Sequence, residues 1–430
     1  MDIYINPSKD QWPDILARPE ADFTGLRDTV LAIMDKVRKQ GDRALKEYTL
    51  AFDHADLQEL QVPLGEIRDS GQQISETLKE AISIARSNIQ RFHQGQKPED
   101  LVINTMPGVE CRMKHTPIEK VGLYIPGGTA PLLSTVLMLG IPARIAGCAE
   151  IVLCTPPNAE GRVHPAILYC AGILGIDKIF RVGGAQAIAA MAYGTQTIPG
   201  VDKIFGPGNQ YVTLAKQLAS LEHVAIDMPA GPSEVAVIAD NSADPEFIAA
   251  DLLSQAEHGT DSQVLLVAKR EKIISRVREE LDKQLALLPR KEVAEAALRN
   301  SRLIVMEDWE DIINMINMYA PEHLIIQCKD YEELGNRISN AGSVFLGPFT
   351  PESAGDYASG TNHTLPTGGY ARAYSGIGLE SFMKRISYQE ISEDGLCNLG
   401  PAIKTMAEEE ELMAHSMAVA IRLKKLTEKS

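Results

Sequence analysis

Gly175-Ile176-Asp177-Lys178-Ile179-Phe180 recurs 25 residues later as Gly200-Val201-Asp202-Lys203-Ile204-Phe205. That interval is the length of one strand, one helix and their turns, so the echo marks a repeated β-α unit. Around it, short apolar runs alternate with helical stretches: Val121 to Ile125, Glu150 to Cys154, Lys178 to Val182, Lys203 to Phe205 and Val224 to Ile226. A second series runs through Val235 to Ile238, Val264 to Val267, Leu303 to Met306, Leu324 to Ile326 and Ser343 to Leu346, separated by amphipathic helices. Alternation of this kind predicts mainly parallel sheets with helices on their faces.

The expected fold class is α/β, with two Rossmann-like lobes, a helical N-terminal part and a short helical C-terminal segment. Leu26, Val30, Ile33, Met34 and Val37 lay one apolar stripe within Thr24 to Tyr48, and Gly41 follows as a stop. Ser75 to Phe92 repeats the pattern, and Asp244 to His258 has Pro245 where a first helical turn tolerates proline and Gly259 where helices end. The boundaries drawn are an extension over 1–20, a helical part over 21–103 packing with the second lobe, and a connector over 104–120. Lobes over 121–232 and 233–378 follow, then a closing helical segment over 379–430, with Ala407 to Leu426 as its helix.

Net charge is -16 for 430 residues, with lysine and arginine scattered, so no basic face exists for nucleic acid. Apolar content of 44% and charged content of 23% are those of a globular chain. Six separated cysteines without a C-x-x-C read as reduced thiols, and with no basic, apolar leader the expected location is cytoplasmic. The uncharged run Val121 to Ala143 is broken by Pro126, Gly127, Gly128, Pro131, Gly140 and Pro142. It reads as a strand, a glycine loop and a helix, and no membrane partner is expected.

Glycine clusters follow the predicted strands at Pro126-Gly127-Gly128, Gly183-Gly184-Ala185-Gln186 and Gly206-Pro207-Gly208-Asn209. Such loops let backbone amides approach a phosphate, and they are also ordinary tight turns. Tyr211 stands where a dinucleotide fingerprint needs its third glycine, while Asp227 lies at the distance of a ribose contact. Among nine histidines, His54, His93 and His115 sit in polar surroundings and His164 and His223 adjoin turns. Gln255 and His258, three apart, can reach one ion or can form a solvated helix end. Glu322 and His323, in Ala320-Pro321-Glu322-His323-Leu324, can share proton-transfer work or mark an element boundary. Asp356 and His363 lie in a polar loop after the run ending at Leu346, and His415 lies one turn beyond Glu411.

Seven stretches together resemble the histidinol dehydrogenase family: Tyr124 to Gly128, Gly183 to Ala187, Gly206 to Asn209, Asp227 to Glu234, Gln255 to Gly259, Ala320 to Leu324 and Gly355 to His363. The resemblance runs from about residue 20 to the end. It implies oxidation of L-histidinol to L-histidine through the aldehyde, with one Zn2+ per subunit and NAD+ as co-substrate used twice. By position it implies Gln255, His258, Asp356 and His415 as zinc ligands, Glu322 to activate water and His323 as general base. Those ligands and His323 also touch the substrate, as do Ser233, His363 and Glu410, while Tyr124, Gln186 and Asn209 line the NAD site. A homodimer is implied too, in which the closing segment, with Glu410 and His415, completes the neighbour's site. Two other chemistries use residues of this kind: a zinc hydrolase on the same ligands, which would not need the glycine loops, and a thiol route through Cys154.

Overall fold

The computed structural model describes residues 1–19, 25–127, 131–222, 224–228 and 231–429. Thr24, Gly128, His223, Pro229 and Ala230, each part of an expectation above, lie outside them. Contacts divide the chain into two units, 1–96 with 118–382, and 97–117 with 383–430.

Two parallel sheets build the first unit. One has the order Lys178–Arg181, Glu150–Thr155, Lys120–Tyr124, Lys203–Phe205, Ala225–Ile226. The other has the order Asp2–Ile5, Arg302–Val305, Gln263–Ala268, Glu234–Ala239, His323–Gln327, Ser343–Leu346. Strands covered on both faces read as unbroken apolar runs, which is why Glu234–Ala239 and Gln263–Ala268 are buried along their whole length. The two Rossmann-like lobes are therefore present, and the echo of Lys178 and Lys203 falls on two strands of one sheet.

Several expectations need correction. The extension 1–20 contributes an edge strand, Asp2–Ile5, paired with Arg302–Val305, and Trp12, Ile15 and Leu16 enter the core of the second lobe. The stop expected at Gly41 is present: at φ +55° it ends helix Leu26–Gln40, and Asp42–Asp53 follows as a second helix. Val30, Ile33, Met34 and Val37 share a core with Ile188, Met191 and Leu214, and Ile82, Ala85 and Ile89 share one with Leu137 and Ile141. Those helices seat on the first lobe rather than the second, although Asn88 Nδ2 donates to Ala358 O at 2.9 Å.

In the other unit, the connector 104–120 contains the strand Val109–Pro117, central in a three-stranded antiparallel sheet with Leu101–Met106 and Met383–Ile391. The closing segment is thus a strand and two helices, Glu393–Glu409 and Met413–Lys429, separated at Glu411, φ +59°. No helix among the described residues is long and apolar enough to cross a membrane.

Candidate active site

The second sheet carries its reactive groups at the amino ends of its strands. Helix Trp309–Tyr319 ends in Ala320, φ +52°, whose N–H donates to Ile316 O at 2.8 Å, and the chain turns through Pro321 and Glu322 into the strand. His323 opens that strand beside Val235 and Ser343. Glu322 and His323 are both buried, at 6% and 3% exposure. Glu234 holds them: its N–H donates to Glu322 Oε2 at 2.9 Å, and its Oε1 accepts from Glu322 N–H at 3.3 Å. Its carbonyl oxygen lies 3.3 Å from His323 Nδ1 and can only accept, which fixes the Nδ1–H tautomer. His323 Nε2 then has no hydrogen-bond partner among the described residues, and it lies 3.7 Å from Asp356 Oδ1. Glu322 Oε2 and Glu352 Oε1 lie 3.6 Å and 4.0 Å from Nδ1.

Burial pushes the Glu322 carboxyl up to about 7, against the pull of His323. For His323 burial works against the charged ring, but the carboxylates of Glu352, Glu322 and Asp356 outweigh it and raise its pKa to about 10. Asp356 is held below its usual value: burial opposes ionisation, and the nearby His323 ring, 3.7 Å away, more than offsets it.

A group of side chains with the spacing to hold a cation lies beside this pair. Ligand atoms of His258, Glu352 and Asp356 all lie within 4.8 Å of one another. Gln255, in the last turn of helix Pro245–Ala256, is fully buried, yet neither its Oε1 nor its Nε2 has a partner among the described residues. Both carboxylate oxygens of Glu352 are in the same condition. A buried polar atom left unmade costs about 1–3 kcal/mol, so donors orphaned together fit a site whose remaining partner is a bound ion. Nitrogen and oxygen donors of this mix suit a borderline-soft divalent cation such as zinc, and a helix C-terminus adds negative partial charge. Glu352 carries no signal legible in the sequence, since no spacing ties it to His258 or His323.

His363 Nδ1 lies 2.9 Å from Asp356 O and must donate to it, so Nε2 accepts from Thr135 Oγ1 at 3.2 Å. Ser233 stands immediately before Glu234, its carbonyl accepting from Gln263 N–H at 3.2 Å. Glu410 and His415 belong to the other unit, where both are exposed.

The first sheet is arranged differently. At the carboxyl ends of its strands a cavity of about 920 Å³ is lined by Tyr124, Gln186 and Asn209, together with Thr155, His164 and Asp53. Tyr124 Oη accepts from Gly184 N–H at 3.0 Å, at the start of helix Gly184–Tyr193. Asn209 Oδ1 accepts from the N–H groups of Tyr211 and Val212 at 3.1 Å each, and His164 Nδ1 accepts from Ala166 N–H at 3.2 Å, so both residues cap helices at this rim. Several helix N-termini therefore face one space, which favours an anionic ligand.

Asp53 went unnoticed in the sequence. Its Oδ2 is buried without a partner among the described residues, and burial pushes its carboxyl up to about 6. Asp227, in contrast, is no free ribose ligand. Its side chain is buried in an ion pair with Lys216, and it accepts from the N–H groups of Gly206 and Met228. Gly206, φ +125°, is needed because a Cβ there would strike Tyr124 O. His93 also departs from expectation: it is fully buried, with Nδ1 donating to Ile89 O at 2.9 Å. Cys154 is fully buried and burial pushes its thiol pKa well up, which removes it as a nucleophile.

Residues 16–423 match the profile of the histidinol dehydrogenase family. The chain belongs to that family. The histidinol dehydrogenase of Bacteroides thetaiotaomicron is 58% identical over 420 residues, covering 98% of each chain. The chloroplastic histidinol dehydrogenase of Arabidopsis thaliana is 52% identical over 425 residues, 98% of this chain and 91% of that one. A crystal structure of histidinol dehydrogenase from Elizabethkingia anophelis superposes with a TM-score of 0.97 at 53% identity, covering 99% of both chains. As a member of the histidinol dehydrogenase family the protein is an oxidoreductase of histidine biosynthesis, and the hydrolase alternative falls away.

Proposed function

We propose that the chain oxidises L-histidinol to L-histidine through L-histidinaldehyde, consuming two NAD+ and one water, with one zinc ion per subunit. The observation that carries this reading is the cluster of His258, Glu352 and Asp356, in which the Glu352 oxygens are buried without a partner among the described residues and His323 Nε2, also unpartnered there, lies 3.7 Å from Asp356 Oδ1. Gln255, His258 and Asp356 would hold the ion together with the partner subunit's His415. When bound, zinc would hold the imidazole and amino nitrogens of the substrate and offset the surrounding acids, and NAD+ would accept one hydride in each half of the reaction.

The chain's own groups divide the proton work. With Nδ1–H committed to Glu234 O, and with the charge of Asp356 and its neighbours, which raises the His323 pKa, offset at a loaded site, His323 would take the hydroxyl proton at Nε2. Glu322, raised by burial into the neutral range, takes a proton from the water that adds to the aldehyde. His323 acts again on the hydrate as the second hydride leaves. Ser233, His363 and the partner subunit's Glu410 contact the substrate. Tyr124, Gln186 and Asn209 line the dinucleotide cavity, where capped helix N-termini suit a pyrophosphate.

The reading includes a homodimer. Met406, Leu412, Met413, Met417 and Ile421 are all exposed on the closing helices and the turn between them, an apolar surface that a second copy would cover. The enzyme acts in the cytoplasm on this reading. Adding histidinol and NAD+ should yield two NADH per histidinol by near-ultraviolet absorbance, with turnover lost to a chelator and restored by Zn2+. One NADH with free aldehyde, or none, sinks the proposal.

A further inference from the structure

Arg18 lies on the N-terminal arm, just beyond Trp12, Ile15 and Leu16, which anchor that arm in the core under the second sheet. Its guanidinium grips both oxygens of one carboxylate: Nε donates to Glu234 Oε2 at 2.5 Å and Nη2 to Glu234 Oε1 at 2.9 Å. Nη2 also donates to Tyr319 O at 2.6 Å, at the end of the helix that leads into Glu322, and the group lies 4.0 Å over the Tyr319 ring. Tyr319 Oη in turn donates to Gln263 Oε1 at 2.8 Å. Glu234 is the residue whose side chain and backbone together meet Glu322 at two points and His323 at one. Among the described residues Arg18 is the cation paired with Glu234.

We propose that Arg18 is a positioning residue for the Glu322–His323 pair, acting through Glu234. The inference rests on the function proposed above. A carboxylate almost without exposure, set beside Glu322, needs a counter-charge, because an unpaired buried acid is strongly disfavoured and repels its neighbour. Paired with Arg18, Glu234 is free to present Oε1 to the Glu322 N–H and its own N–H to the Glu322 carboxylate. Without Arg18 the Glu234 side chain must take a proton or turn away, and both outcomes release Glu322. The Glu234 side chain meets Glu322, while His323 is held by the Glu234 backbone carbonyl and the other substrate and dinucleotide contacts lie elsewhere, so the loss falls on turnover and not on binding.

The test uses zinc-loaded, full-length enzyme with histidinol and with histidinaldehyde. Arg18→Met should lower kcat on the aldehyde by roughly tenfold or more, within the range a misplaced general base produces, and lower kcat on the alcohol less. KM for both should move by less than about twofold, since binding common to ground and transition states is retained. Arg18→Lys keeps charge but not the bidentate grip and should recover part of the activity. Adding Glu234→Gln to Arg18→Met removes the stranded charge while keeping an oxygen for the Glu322 N–H, and should also recover part; it serves where Arg18→Met alone folds poorly. In a Glu322→Gln background Arg18→Met should change the aldehyde rate by less than about twofold, because the two act on one group. Folded Arg18→Met with wild-type kcat on both substrates overturns the proposal, as do effects that multiply in the Glu322→Gln background. A wild-type enzyme that makes no NADH from histidinol removes the function and the clamp together, whereas wild-type turnover with an indifferent Arg18 removes the clamp alone.

Discussion

The two lobes share one architecture and put their open ends to opposite uses. In the first, the cavity lies at the carboxyl ends of the strands, where helices begin and capped N-termini converge. In the second, Glu234, Glu322 and His323 stand at the amino ends, where helices Pro245–Ala256 and Trp309–Tyr319 finish. A parallel α/β layer has a positive rim and a negative rim, and the chain places an anion-favouring space on one and a cation-favouring cluster of acids on the other. The usual expectation that ligands gather at the carboxyl ends holds for the first lobe only.

If the division is real, each end should fail without the other. His323→Asn should lower kcat about 10²- to 10⁴-fold on alcohol and aldehyde alike, while NAD+ affinity by calorimetry stays at the wild-type value. A parallel loss of NAD+ affinity would break the comparison. Gln255→Ala should reduce zinc content by atomic absorption and leave the KM for NAD+ unchanged; retained stoichiometric metal takes Gln255 out of the ligand set. From the other side, Asn209→Ala should raise the KM for NAD+, leave zinc in place and cost about 1 kcal/mol of stability through the lost cap, read from the urea midpoint.

The smallest effect concerns Asp53. Its folded pKa, about 6, lies above the ordinary 3.8 because burial disfavours the charged form. Folding of the wild type is therefore penalised above pH 6 and not below 4. Asp53→Asn should melt higher than wild type at neutral pH, with the gap closing as pH falls between those values. A gap independent of pH would show that the carboxylate is not paying for burial.

Much of this arrangement could be read directly. Lys203–Phe205 and Ser343–Leu346 have the ends expected from their apolar runs, because a strand buried by its layers declares itself locally. Asp2–Ile5 was hidden because its partner, Arg302–Val305, lies on the far side of the sequence. Asp227 misled because spacing cannot reveal the ammonium of Lys216. His93 carried a usable signal: it continues the stripe Ile82, Ala85, Ile89 at helical spacing, which outweighs its polar neighbours. At the candidate site, the motifs of Gln255, His258, Glu322, His323, Asp356 and His363 are legible in the sequence, and all six lie in one unit. Glu352 and Arg18 are not legible there, since their meaning lies in contacts with residues distant in sequence.

Strand Val109–Pro117 pairs along its length with Met383–Ile391, from Pro117 against Met383 to Val109 against Ile391. On a ribosome adding about 5–20 residues per second, the earlier strand waits roughly 15–50 s for its partner to be made. The small sheet is thus closed only once residues 383–391 have been made. Until then Leu101–Met106 and Val109–Pro117 form a hairpin with both edges open, and Met383–Ile391 closes the one on Val109–Pro117, removing a template for pairing with another chain.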